Sequence, residues 1–118
     1  MLEAVMDEIA RRTPGFLGAT VMGTDGMPLT QRVADEGPDL ELFAAESSAL
    51  LKSLSALGSQ EECGSLRSVH TGGDRWQLFL ERITTDYFLL LVVASSVSQG
   101  ECRYRLRCAA LDLEAELS

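Results

Sequence analysis

The sequence predicts an α+β domain in which a sheet carries helices on both faces. Three observations lead there. The apolar pattern switches between helical and strand periods in the order helix, strand, strand, helix, three strands, helix. One strand segment, Tyr87–Ala94, is continuously apolar, so it is buried on both faces and central in its sheet. The chain has 118 residues, 46% of them apolar, which makes one domain with an ordinary core. No repeat or low-complexity linker divides it, so residues 1–118 read as a single domain.

The first helix places Leu2, Val5, Met6 and Ile9 at i, i+3, i+4, i+7, with acids early and Arg11 and Arg12 at its end. Thr13-Pro14-Gly15 stops it. Phe16–Met22 has strand length and β-branched content, Asp25-Gly26 signals a tight turn, and Met27–Val33 returns. Pro28 cannot donate to a ladder, so the returning strand belongs at a sheet edge. The loop at Asp35–Asp39 supplies the start signals of a second helix, closed at Gly58. Ser65–Thr71 and Arg75–Glu81 form a hairpin around Gly72-Gly73-Asp74. A turn at Thr84-Thr85-Asp86 leads into the central strand. The last helix, about Gly100–Leu117, carries two apolar stripes. Cys102, Leu106, Ala109, Leu113 and Leu117 suit the sheet, while Tyr104, Cys108, Leu111 and Ala115 suit the first helix or a neighbouring molecule.

The second helix is the informative element. Leu40, Phe43, Ala44, Ser47, Leu50, Leu51, Leu54 and Leu57 form its inner stripe. At about 100° per residue, its opposite face holds Leu42, Ala45, Ala49, Ser53 and Ala56. Glu41, Glu46 and Lys52 are its only charges between Leu40 and Leu57. A helix without a charged outer face is covered on both sides, and a domain this small cannot wrap it completely. A second protein chain should cover it.

Charge excludes several classes of function. Lys and Arg number 10 against 18 Asp and Glu, a net charge of −8. That balance speaks against nucleic-acid binding and against docking on an anionic membrane. No apolar run approaches the ~20 residues that span a bilayer. The N-terminus is acidic where a signal peptide would be basic. Cys63, Cys102 and Cys108 cannot all pair within one chain and form no C-x-x-C, so reduced thiols in a cytoplasmic protein are expected.

No catalytic constellation emerges. The single histidine, His70, lacks a nucleophilic partner and reads as a structural imidazole. There is no G-x-x-x-x-G-K-[ST] phosphate loop, and no helix follows Gly72-Gly73 to make one. Asp25-Gly26 lacks the remaining ligands of a calcium loop. Glu61-Glu62 read as a solvated loop, Arg67, Arg75 and Arg82 as surface charge, and Trp76 as core. The expectation is a protein that is not an enzyme and needs no cofactor or metal.

The element order and the stretch Pro14-Gly15-Phe16-Leu17-Gly18-Ala19 through Asp25-Gly26-Met27-Pro28 resemble the Roadblock family, which includes a dynein light chain and the bacterial MglB proteins. The Leu- and Ala-rich second helix and the start of the last helix, Gly100 with Arg103–Arg107, are similar too. The resemblance covers essentially the whole chain. It implies a five-stranded antiparallel sheet in the order 2-1-5-4-3, a Roadblock/profilin-like sandwich. It also implies a homodimer that joins third strands edge to edge and second helices side by side, and that binds a Ras-like small GTPase of MglA type. The third strand has no proline and one charge, Arg67, so its edge is poorly defended against pairing. The interface candidates are Leu42, Ala45, Glu46, Ala49, Lys52, Ser53 and Ala56 on the helix, with Ser65, Arg67 and Val69 on the strand. Two other readings stay open: a PAS- or profilin-like small-ligand sensor, and a light-chain-type adaptor for a peptide of a larger complex.

Overall fold

A computed structural model of the protein describes residues 2–54 and 64–117. The elements run α1 (Leu2–Arg12), β1 (Phe16–Gly23), β2 (Pro28–Val33), α2 (Leu40–Ser53), β3 (Ser68–Gly72), β4 (Trp76–Arg82), β5 (Tyr87–Ala94) and α3 (Gln99–Leu117). The five strands form one sheet in the order β2-β1-β5-β4-β3, every neighbouring pair antiparallel. Pro28 opens edge strand β2 and β5 is central, as proline's missing N–H and the unbroken apolar run require.

Two cores lie back to back on this sheet. On one side Met6 and Ile9 of α1 and Cys102, Leu106, Ala109 and Leu113 of α3 pack on Ala19, Val21, Phe79, Leu89, Leu91 and Val93. On the other, Leu40, Ala44 and Leu51 of α2 pack on Met22, Leu80, Phe88, Leu90 and Val92. Alternation along β5 sends odd-numbered side chains to the first core and even-numbered ones to the second, because successive strand side chains point to opposite faces.

Two boundaries and one packing contact differ from the sequence expectation. Strand β3 begins at Ser68, so Ser65 and Arg67 precede it, although the Arg67 carbonyl still accepts the Arg82 N–H at 2.8 Å. Helix α2 ends at Ser53 with Leu54 as its C-cap. Serine hydroxyls offer the backbone an alternative to helical bonding, which weakens a helix end. Ala56, Leu57, the expected stop at Gly58, Glu61-Glu62 and Cys63 lie outside the described residues. On α3, the second apolar stripe is not covered by α1. That helix sits instead against the flank of Arg105, Cys108, Ala109 and Asp112, reaching only Cys108 of the stripe and leaving Tyr104 and Leu111 exposed.

Candidate functional site

Helix α2 is held in place at its N-terminus and along its body. Asp39 caps it, its Oδ1 accepting the Leu42 N–H at 3.3 Å, which satisfies one orphan donor of the first turn. Leu40 lies over Gly18, where an added Cβ would come within 3.0 Å of a Leu40 methyl, so the absence of a side chain lets helix and strand approach. Further along, Ser48 Oγ donates to the Thr24 carbonyl at 2.7 Å. This ties α2 to the β1–β2 turn. Gly26 closes that turn at φ +88°, a conformation that favours glycine, and its Cα faces Ser48 closely enough that a Cβ would sit 3.2 Å away. The sequence pattern did not mark Ser48 as an inner residue, yet it is buried with Ser47. An i−4 relation to Ala44, itself fully buried, was the available signal.

With that inner face fixed, the outer face is determined. Leu42, Ala45, Glu46, Ala49 and Ser53 project within about 120° of one another and are all exposed, Leu42 at 54%. Lys52 is exposed beside them. The surface they present is therefore small-residue and apolar around a single carboxylate. The strand candidates are less unified. Val69 is half-buried on the α2 side of the sheet, packed against that core, whereas Ser65 and Arg67 are exposed on the approach to β3. Strand β3 forms the sheet edge next to β4, and β2 forms the other edge.

Exposed apolar side chains also occur where sequence reasoning did not look. Leu29 and Val33 on β2 are exposed, as is Met27 just before the strand. Val33 pairs with Gly18, whose missing side chain faces Leu40 of α2, so Val33 takes the α2 side. Its position on the edge strand leaves it open, and that position is not visible in a local pattern.

His70 behaves as a structural imidazole. Its Nε2 lies 3.1 Å from Gln77 Oε1 and its ring stacks at a tilt on Phe79, centroids 4.6 Å apart. Gln77 is the polar residue the sequence reading passed over. Buried on β4, its Nε2 lies within bonding distance of the carbonyls of Ala94, Ser95 and Val97, at 3.3, 3.2 and 2.8 Å, and so secures the β5–α3 loop. A lone amide among Trp76, Leu78, Phe79 and Leu80 was its signal. Trp76 is half-buried and meets Phe43 of α2 edge-on at 5.5 Å, as a core residue does. Among the described residues no three His, Cys, Asp or Glu side chains cluster as a metal site, and no helix is long and apolar enough to cross a membrane.

No protein-family model and no curated protein matches the sequence. The likeness lies in three dimensions. The gliding protein MglB from Thermus thermophilus superposes with a TM-score of 0.86 at 20% identity, over 97% of this chain and 86% of that one. A Roadblock/LC7 domain from Streptomyces avermitilis gives 0.84 at 20% identity, over 97% and 95%. The chain has the Roadblock fold. MglC from Myxococcus xanthus shares it at a TM-score of 0.70 and 27% identity, over 99% and 100%. Among the described residues of this Roadblock fold, α2 packs on one face of the sheet while α1 and α3 share the other. The profilin-like side of the expected architecture is present as well, since profilin II of Acanthamoeba castellanii superposes at 0.67.

Proposed function

We propose that this protein is a non-catalytic, homodimeric regulatory module that binds a Ras-like small GTPase of MglA type. One observation carries the reading: the outer face of α2, from Leu42 to Ser53, is exposed and presents Leu42 and the small side chains Ala45, Ala49 and Ser53, with Glu46 and Lys52 as its charges. Small residues let another backbone approach closely, and apolar area withdrawn from water stabilises a contact by about 25 cal/mol per Å² before association costs. In the dimer, the β3 edges join and the α2 helices lie side by side. Self-association is supported by a structural neighbour, an MglB with a tetrameric arrangement. GTPase binding is supported by the fold shared with MglB and MglC. With no nucleophile and base assembled at the face among the described residues, the chain acts by favouring one arrangement of the partner's own switch segments.

The test is capture of an MglA-type GTPase loaded with GDP or with a GTP analogue, followed by GTP turnover with and without this protein. Preferential capture of the analogue-bound form supports the reading, and faster turnover marks an activator where unchanged turnover marks a scaffold. Capture of neither form overturns the GTPase assignment and favours the adaptor reading.

A further inference from the structure

On the side of the sheet opposite α2, α3 does not reach the β3 edge, and a groove of about 410 Å³ opens between them. His70 and Phe79 lie on its floor, with Arg103, Tyr104 and Arg107 of α3 along its wall. A second hollow of about 150 Å³ continues it along α3, past Arg67, Arg82 and Leu111. Glu81 and Arg107 line both.

The charge of this groove runs against that of the molecule. Acids outnumber bases 18 to 10 in the chain, yet the groove gathers four arginines and only two acids, Glu81 and Glu114. Glu81 and Arg107 are committed to each other, Glu81 Oε2 accepting from Arg107 Nη1 at 3.3 Å, and Arg82 Nη1 donates to the Leu66 carbonyl at 3.4 Å, so the basic excess rests on Arg67 and Arg103. The same flank carries two of the largest exposed apolar side chains, Tyr104 at 63% and Leu111 at 59%. Seven residues apart, they stand about 10 Å apart along the helix, a spacing of two turns. A small anion would need the arginines alone and would leave Tyr104 and Leu111 without a role.

We propose that this groove docks an acidic amphipathic segment of a partner protein. Its carboxylates meet Arg103 and Arg67, and its apolar side chains cover Tyr104 and Leu111. The groove opens on the face away from α2, so it is separate from the GTPase surface, and it meets the proposed dimer only along the β3 edge, at Arg67 and Val69.

The experiment is selection of displayed random 16-residue peptides on the intact protein, then anisotropy titration of one selected peptide. Arg103→Glu and Tyr104→Ser are the variants, both at exposed positions and checked for folding by circular dichroism. The expected peptides are acidic with apolar residues at helical spacing. Binding should weaken roughly tenfold in each variant and should fall with added salt, while Ala49→Arg leaves it unchanged. Selected peptides that are neutral or basic, or no selection at all, would overturn the proposal. So would affinity indifferent to both variants, loss of binding in Ala49→Arg, or displacement of the peptide by micromolar pyrophosphate.

Discussion

Single side chains do two kinds of work in this protein, and burial separates them. Ser48 and Gln77 are buried polar groups whose bonds join elements that sequence separates: α2 to the β1–β2 turn, and β4 to the loop before α3. Removing such a donor strands a carbonyl, which costs about 1–3 kcal/mol. Ser48→Ala should therefore lower the unfolding free energy by that order while leaving the fold intact, and urea titration would measure it. The cysteines divide in the same way. Cys102 is fully buried and its thiol is pushed above the usual range, chiefly by burial and then by the nearby Glu101 carboxylate. A raised thiol pKa means the unfolded chain ionises first. The stability it contributes is complete below the ordinary thiol pKa and is lost as pH rises through the folded value. Cys108 is exposed. A thiol reagent at pH 8 should modify Cys108 in the folded protein and reach Cys102 only after denaturation, and peptide mass mapping would tell the two apart.

Among the elements, α2 shows what an amphipathic pattern can and cannot specify. Its inner face buries Leu40, Ala44, Ser47, Ser48 and Leu51. Each fully buried leucine contributes about 1.5–3 kcal/mol, enough to fix the rotation of the helix about its axis. That rotation sends Ala49 outward, and Ala49 is exposed. Ala49→Arg is expected to keep the thermal midpoint within a few degrees of the parent while abolishing self-association or GTPase capture. A protein that unfolds on this change would have its α2 faces reversed. Most strand boundaries were legible because alternation and turn residues are local signals: Asp25-Gly26 and Pro28 mark one hairpin, Gly73 and Asp74 the other. The start of β3 was not. Ser65, Leu66 and Arg67 have nothing in their own pattern to say that β4 pairs from Ser68 onward.

For the molecule as a whole, the sheet has two free edges of different character. Strand β2 opens with proline, whereas β3 contains none and carries no charged residue between Ser68 and Gly72. Edge strands lacking proline and charge invite pairing with another chain. Sedimentation at micromolar concentration should return a mass near twice 12.8 kDa. A strict monomer would remove the β3-edge dimer while leaving the fold untouched.

Local chemistry was enough to place the helices and strands, the edge position of β2 and the central position of β5. Periodicity, a missing proline N–H and an unbroken apolar run act through neighbours a few residues away. The same local pattern exposed the charge-poor outer face of α2. Folding in space was needed for the rest. The His70–Gln77 pair spans a hairpin, the Ser48–Thr24 bond spans 24 residues, and the basic groove draws Arg67 and Arg82 together with Arg103 and Arg107 of α3. Residues so far apart become neighbours only when the sheet order brings β4 beneath α3 and β3 alongside it across the groove, and no periodicity along the chain encodes that meeting.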